Sequence, residues 1–95
     1  MSGPATETEA PDAVEAPSPT QGGPWPEVLV YATGHKPVVQ VRIDGTWRIG
    51  VVRERHDYAR GRTAYQVTLD PGTGTHVVRT YWWSPGMRAL LTAPK

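Results

Sequence analysis

Residues 38–52 read VVQVRIDGTWRIGVV, and this stretch decides the fold. Apolar and polar residues alternate on both sides of Asp44-Gly45, a dipeptide that favours a tight hairpin turn because glycine adopts positive φ at little cost. The stretch therefore predicts two antiparallel strands whose side chains alternate between an inner and an outer face. The residues expected on the inner face are Val39, Val41, Ile43, Trp47, Ile49 and Val51.

Similar short runs occur on both sides of this hairpin and predict an all-β domain. They cover residues 27–32, 63–70 and 75–83, and residues 87–92 are expected to form a helical turn leading into a short closing strand. Strands at intervals of roughly ten residues favour a small barrel. We expect a five-stranded SH3-like β-barrel over residues 25–95. In the run at residues 63–70 we expect Tyr65, Val67 and Leu69 to face inward, with Tyr65 in the core. The run at residues 75–83 leaves two registers open, with either Val78, Thr80 and Trp82 or Val77, Tyr81 and Trp83 facing inward.

Residues 1–24 have a different composition from the rest of the chain. Up to residue 23 they contain four prolines, three glycines and four acidic residues, and no lysine, arginine or aromatic residue. Such a segment buries too little apolar surface to offset the entropy lost on ordering. We therefore expect a disordered acidic tail. The rest of the chain carries ten basic and five acidic residues, which gives a basic domain behind an acidic tail.

Several function classes are disfavoured by the sequence. The chain contains no cysteine, and His35, His56 and His76 are widely spaced, so we expect neither a metal site nor a cofactor. No nucleophile elbow or phosphate-binding glycine loop is present, which argues against an enzyme. No apolar run is long enough for a membrane span and no secretory signal is evident, so we expect a cytoplasmic protein without a membrane partner. The sequence leaves the oligomeric state open.

The hairpin pattern resembles a known group of small barrels. Val39-x-Val41 followed by Asp44-Gly45-x-Trp47-x-x-Gly50-x-Val52 is similar to the opening of Tudor, agenet and KOW-type SH3-like domains. Tyr65-x-Val67-x-Leu69 resembles their next strand, and residues 82–90 resemble the turn before their last strand. The resemblance implies the fold and a binding role, since Tudor domains bind methylated lysine or arginine and KOW domains bind RNA or proteins. It implies no particular ligand for this chain.

Arginines interleaved with an aromatic residue form the first candidate site. Guanidinium groups beside a tyrosine suit phosphate contact and base stacking, so a basic strip that binds nucleic acid is the leading hypothesis. Its alternative is a solvated surface whose arginines pair with Glu54 and Asp57. The residues of this predicted strip are Arg42, Arg48, Arg53, Arg55, Tyr58, Arg60 and Arg62, and Arg79 is a further candidate.

The adjacent tryptophans Trp82 and Trp83 form the second candidate site. Neighbouring residues of a strand point to opposite faces, so one indole is expected outside, and we expect it to be Trp83 with Tyr81 beside it. An exposed aromatic pair predicts a protein or peptide partner. The open alternative is that Trp25 folds back and covers Trp83.

Overall fold

The computed structural model describes residues 10–17 and 25–90, and it confirms the all-β prediction. Within these residues six strands, rather than the five expected, form one antiparallel sheet in the order β5-β4-β3-β2-β6, with β1 pairing to β3. A single 3₁₀ turn, Ala59–Gly61, connects β3 and β4. The strands are β1 Glu27–Val30, β2 Val38–Ile43, β3 Thr46–Asp57, β4 Thr63–Leu69, β5 Val77–Trp82 and β6 Met87–Ala89.

The β2–β3 hairpin turns at Asp44-Gly45, as the sequence predicts. Both turn residues have left-handed backbone, with φ of 50° and 77°. Ile43 therefore lies opposite Thr46, and the pairing continues to Val38 opposite Val51. A two-residue turn of this handedness matches the twist of the strands that it joins.

The predicted face of β3 is wrong. Val41 lies opposite Arg48 and Val39 opposite Gly50, and directly opposed residues of an antiparallel pair share a face. Because Val39 and Val41 are buried, the even-numbered residues of this half of β3 point inward, and Val52 is fully buried. The outward residues are Trp47, which is half-buried, Ile49, which is 60% exposed, and Val51, which is 38% exposed.

β3 is long because it serves two partners in turn. Residues 46–51 pair with β2 and residues 54–57 with β1, while β4 pairs along the other edge with residues 50–57. The register with β4 shifts between Val52 and Glu54, so Arg53 is the extra residue of a β-bulge. A bulge bends a strand and increases its twist. It also exchanges the faces, so that Arg55 lies on the inner side opposite Tyr65.

The core lies on the concave side of this bent sheet. The expected inward residues Val67 and Leu69 of β4 are fully buried, and Tyr65 packs at the core's edge. Met87 of β6 closes one side. The sequence predicted a helical turn leading into a short closing strand here, and residues 87–89 form the strand, which pairs with β2, without the turn. The buried cluster is Val39, Val41, Val52, Val67, Leu69, Tyr81 and Met87.

Tyr81 is not the exposed partner-binding residue that the sequence predicted. It is 4% exposed, because it lies opposite Tyr65 on the inner face of β5. Of the two registers left open, the one that turns Val77, Tyr81 and Trp83 inward is observed for Val77 and Tyr81, whereas Trp83 lies beyond the end of β5 and is 48% exposed. The Arg79 side chain forms a hydrogen bond with Tyr81, and this bond raises the pKa of Arg79. The phenol thus belongs to the core and offers no binding surface.

Residues 10–17, here called the N-terminal segment, lie against the sheet and are not the disordered chain that the sequence predicted. Glu15 bridges to Tyr81, with hydrogen bonds from Ala16 N to Thr80 O and from Trp82 N to Val14 O. At its other end Ala13 N donates to Arg42 O at 2.8 Å. The segment therefore contacts both β5 and β2. The remainder of the predicted tail lies outside the described residues.

Asp12 fixes the N-terminal segment to the β2–β3 turn. Its two carboxylate oxygens accept the backbone N–H groups of Asp44 and Gly45, each at 3.0 Å. The Arg42 side chain lies 3.6 Å from the same carboxylate. Gly86 allows this close approach, because a Cβ there would collide with the backbone of Asp12 and Ala13. One acidic side chain thus satisfies two turn donors that would otherwise face solvent.

Candidate functional site

Trp83 separates two neighbouring cavities at the surface. It follows directly after β5, its N–H donates to Thr63 O at 2.8 Å, and its side chain is 48% exposed. The first cavity, here the aromatic cavity, has a volume of about 310 Å³. The second, here the arginine cavity, has a volume of about 430 Å³. Trp83 lines both cavities, so a ligand that lies across its indole reaches both cavities.

Three aromatic rings line the aromatic cavity. Tyr31 follows β1, Tyr65 comes from β4, and Trp83 stands beside Tyr65 edge to face, with ring centroids 5.6 Å apart. Its buried wall belongs to the core residues Val39 and Val52. Flat rings over an aliphatic wall favour an apolar side chain. The other lining residues are Lys36, Pro37, Val38, Ala89 and Leu90.

The backbone around the bulge positions Tyr31. Its N–H donates to Arg53 O at 3.1 Å, which extends the pairing of β1 with β3 beyond the strand's end. On the opposite side of the cavity, Val52 N donates to Pro37 O at 2.8 Å and holds the turn before β2 in place. Both rims are therefore fixed by the same bend of β3.

Arg55 and Asp57 determine the charge next to the aromatic cavity. Asp57 Oδ2 lies 2.9 Å from Arg55 Nη2 and 3.0 Å from its Nε, while Thr63 Oγ1 donates to the other carboxylate oxygen at 3.1 Å. The hydrogen bond from Arg55 to Asp57, and next the negative charge of Asp57, raise the pKa of Arg55. Burial is the main cause that raises the pKa of Tyr65, and the neighbouring Tyr31 is the second, so the Tyr65 phenol is neutral at physiological pH. The pair leaves little net charge at this wall.

The arginine cavity is built around Trp82. The Arg62 guanidinium carbon lies 3.9 Å from the Trp82 ring centroid, and Tyr58 packs on the same indole with centroids 5.1 Å apart. Arg60 and Gly61 turn the chain here with left-handed backbone, and Tyr58 N donates to Arg62 O at 2.7 Å. Stacking on the indole leaves the guanidinium edge available to a ligand. The lining residues are Val14, Gly61, Arg62, Thr63, Trp82, Trp83 and Ser84.

The residues of the predicted basic strip do not lie together. Arg42 faces Asp12, and Arg55 is paired with Asp57. Arg48 points inward with its guanidinium against Gly72, and its buried Nε has no hydrogen-bond partner among the described residues. Arg53 is exposed on the bulge. Tyr58, Arg60 and Arg62 remain as a group beside Trp82.

Two residues of the site were not singled out by sequence reasoning. Tyr31 was expected only as part of a strand, and Tyr65 was assigned to the core. The available signal was the alternation of β4, which places Tyr65 on the inner face two positions after the strand's first residue, Thr63. Trp25, which was considered as a cover for Trp83, is itself 67% exposed, and the ring contact of Trp83 is with Tyr65.

Comparison of the chain with protein-family models, curated proteins and solved structures gives no match. The resemblance to Tudor, agenet and KOW-type domains therefore stays a prediction. Within residues 10–17 and 25–90, no three His, Cys, Asp or Glu side chains are grouped as metal ligands would be. The same residues contain no helix of the length and apolar character that crossing a bilayer requires.

Proposed function

We propose that the protein is a non-enzymatic module that binds an extended, proline-containing peptide segment across Trp83. The observation that carries this proposal is the position of Trp83, half exposed between two cavities with Tyr65 packed on its edge. A proline ring matches the aromatic cavity in being apolar and rigid, and proline-rich segments reach an aromatic groove with little entropy left to lose.

The charges of the site support a peptide of a particular kind. Among the described residues, the charged side chains lining the two cavities are Lys36 and Arg62, and no Asp or Glu lines either cavity. Positive rims disfavour a cationic ligand such as a methylated lysine. They favour a neutral or acidic segment, since complementary charge gives specificity and faster association.

Binding of nucleic acid, the leading hypothesis from the sequence, receives less support from the geometry. It depends on contiguous phosphate contacts and on ring faces open to bases. Arg42 and Arg55 lie beside carboxylates, Arg48 points inward, and the Trp82 indole packs against Tyr58 and Arg62. Of the two indoles that line the described cavities, Trp83 is therefore the open one, at a concave site more suited to a side chain than to a base.

The finer fold is part of the same proposal. The proposal of an SH3-like barrel is supported by the bent antiparallel sheet and by the N-terminal segment, which is hydrogen-bonded to β5 on one side and to β2 on the other. Barrels of this kind place aromatic residues of several strands at one rim. The cytoplasmic location expected from the sequence stays a prediction.

A peptide selection with matched tryptophan variants tests the function. The full chain is panned against a peptide library with one fixed proline, and the selected peptides are titrated against the wild type, Trp83→Ala and Trp25→Ala. A buried aromatic anchor contributes about 2 kcal/mol or more, so Trp83→Ala is expected to weaken binding by roughly 30-fold. Trp25→Ala removes an equally large exposed indole outside both cavities and is expected to change the affinity less than about twofold.

A second variant keeps the test valid if Trp83→Ala fails to fold. Lys36→Glu changes only an exposed rim residue of the aromatic cavity, and it should weaken binding of acidic peptides without altering the amide spectrum. Failure to select any proline peptide contradicts the proposal, as does equal binding by wild type and Trp83→Ala. Tight, salt-sensitive binding of oligo(dT) that is lost in an Arg60→Gln/Arg62→Gln variant would instead support the nucleic-acid hypothesis.

A further inference from the structure

The arginine cavity differs in chemistry from the aromatic cavity next to it. Its lining brings together one guanidinium, from Arg62, and one hydroxyl that can donate, from Ser84. Ser84 Oγ accepts a hydrogen bond from Gly86 N at 3.4 Å, so its own O–H is available to a ligand. Thr63 donates its hydroxyl to Asp57 and offers only lone pairs. The donors of the cavity are therefore suited to an anion.

The indole below Arg62 prepares the guanidinium for such a ligand. With its carbon 3.9 Å from the Trp82 ring centroid, the guanidinium is supported on one face while its N–H groups extend from the edge. No ion pair of Arg62 occurs among the described residues. The lining residue Thr63 is hydrogen-bonded to the carboxylate of Asp57, and Arg55 neutralises that carboxylate. The cavity thus keeps the positive charge of Arg62 uncompensated.

We propose that the arginine cavity is an anion subsite that receives an acidic side chain of the same peptide whose proline occupies the aromatic cavity. This inference rests on the proposed function, because the two cavities share Trp83 as their common side. In an extended peptide, side chains two residues apart lie about 7 Å from each other, which is close to the width of an indole. The anionic residue is therefore expected one to three positions from the proline.

The carboxylate of Asp or Glu and the phosphoryl group of phosphoserine offer the same chemistry to Arg62. A guanidinium binds either group through two parallel N–H···O bonds. A synthetic array with one fixed proline, scanned at each flanking position with Asp, Glu, Ser, phosphoserine and Asn, separates the sources. Enrichment of Asp and Glu over Asn identifies a carboxylate ligand, and enrichment of phosphoserine alone identifies a phosphorylated one.

A matched pair of arginine variants tests the assignment of the subsite. Arg62→Gln removes the proposed donor, whereas Arg88→Gln removes a guanidinium that also lies on an indole, 3.8 Å from the Trp47 ring centroid, but is bonded to Gln40. Hydrogen bonds to charged groups are worth about 1.5–3 kcal/mol, so the preference for an acidic over an Asn peptide should be at least about tenfold. It should disappear in Arg62→Gln and persist in Arg88→Gln.

The outcomes distinguish this inference from the function on which it rests. Proline-dependent binding without any anionic preference, or a preference that survives Arg62→Gln, overturns the subsite and leaves the peptide-binding function intact. Absence of proline-dependent binding in the wild type overturns both. If Arg62→Gln loses the amide dispersion of the folded chain, Arg62→Lys keeps the charge without the two-pronged geometry, and a retained full preference would then overturn the guanidinium assignment.

Discussion

Val52 and Ile49 are two aliphatic residues of β3 with opposite surroundings. Val52 is fully buried, whereas Ile49 is 60% exposed on the outer face. We expect Val52→Ala to lower the free energy of unfolding by about 2–3 kcal/mol, since it removes buried methyl groups and leaves a cavity. Ile49→Ala should cost less than about 1 kcal/mol. Urea titrations of both variants check the pair, and a larger loss for Ile49→Ala would contradict the register described above.

The register of β2 with β3 could have been predicted from the sequence. The two-residue turn at Asp44-Gly45 places Ile43 opposite Thr46, so an inward Ile43 requires inward even-numbered residues in the next strand. Hydrophobicity pointed the other way, because Trp47, Ile49 and Val51 are all apolar. The geometry of the turn prevails over the pattern because it is a covalent constraint, whereas an apolar residue is tolerated on the outside.

His56 is a polar residue that is wholly buried. Its Nε2 lies 2.9 Å from Glu54 Oε1, and its Nδ1 has no hydrogen-bond partner among the described residues. Glu54→Ala would leave both ring nitrogens without a side-chain partner, at a cost of about 1–3 kcal/mol. Glu54→Gln keeps an oxygen acceptor at the same position and should cost less. Thermal unfolding of the two variants tests this order, and equal losses would argue against a role for the hydrogen bond.

Asp70 shows how a turn carboxylate couples stability to pH. Its Oδ1 accepts hydrogen bonds from the N–H groups of Gly72, Thr73 and Gly74 at 2.8, 2.9 and 3.1 Å. These bonds, of which the one from Gly72 has the largest effect, lower the pKa of Asp70 below its ordinary value of 3.8. Because the pKa of Asp70 is lower in the folded than in the unfolded chain, its carboxylate stabilises the fold at pH values above the unfolded-state pKa. This stabilisation is lost as the pH falls through the folded-state pKa.

We therefore expect Asp70→Asn to be less stable than the wild type at neutral pH. The difference between the two proteins should shrink as the pH falls from the unfolded pKa of Asp70 to its lower folded pKa, and it should stay small below that point. Carboxyl-carbon NMR titration gives that pKa directly, and urea unfolding at several pH values follows the difference. A titration midpoint above 3.8 would contradict the hydrogen-bonded turn.

At the scale of elements, the N-terminal segment is held by its backbone. Ala16 N donates to Thr80 O at 2.9 Å, whereas at the bridge residue Glu15 the peptide groups point away from β5. Ala16→Pro removes a ladder hydrogen bond, so it should detach the segment and increase amide exchange at Trp82. Glu15→Pro is the matched control and should leave exchange in β5 nearly unchanged. Equal exchange in the two variants would show that the pairing does not hold the segment.

The order of this segment was beyond sequence reasoning for a physical reason. Composition measures what side chains can bury, and residues 10–17 have little to bury. The segment is stabilised by main-chain hydrogen bonds, by one carboxylate on a turn and by the missing side chain of Gly86. These terms depend on a docking surface that exists only after the sheet has formed. The strands were predictable because their pattern is local.

At the scale of the whole molecule, the candidate site is a tertiary product. Trp83 is exposed as predicted, but not for the predicted reason, because Tyr81 is buried and Trp83 lies just beyond the end of β5. Its neighbours are Tyr31, which follows β1, and Tyr65 of β4, and the bulge at Arg53 brings them to one cavity. A single sequence does not show which residues of distant segments will meet at one cavity. The predicted basic strip failed to assemble because the same bulge and the β3 register turn its arginines to different faces.

The dispersal of positive charge over the molecule makes a prediction about salt. The two cavities present one lysine and one arginine, and the remaining arginines lie elsewhere. The affinity for a proline-containing acidic peptide should therefore fall by less than about threefold between 50 and 300 mM NaCl, in contrast to the steep dependence of a phosphate-binding strip. Isothermal titration at both salt concentrations measures it, and a fall of about a hundredfold would contradict the dispersed arrangement.

The contact between the N-terminal segment and β5 also orders events in time. During synthesis, residues 12–16 leave the ribosome long before β5, the strand with which they pair, so they stay unpaired while the strands of the sheet are synthesised. Contacts between residues that are far apart in the sequence form slowly, because the loop between them must first be closed. Residues 12–16 are thus expected to reach their native position late, although they are translated before the sheet, and the edge of β5 stays unpaired until they do.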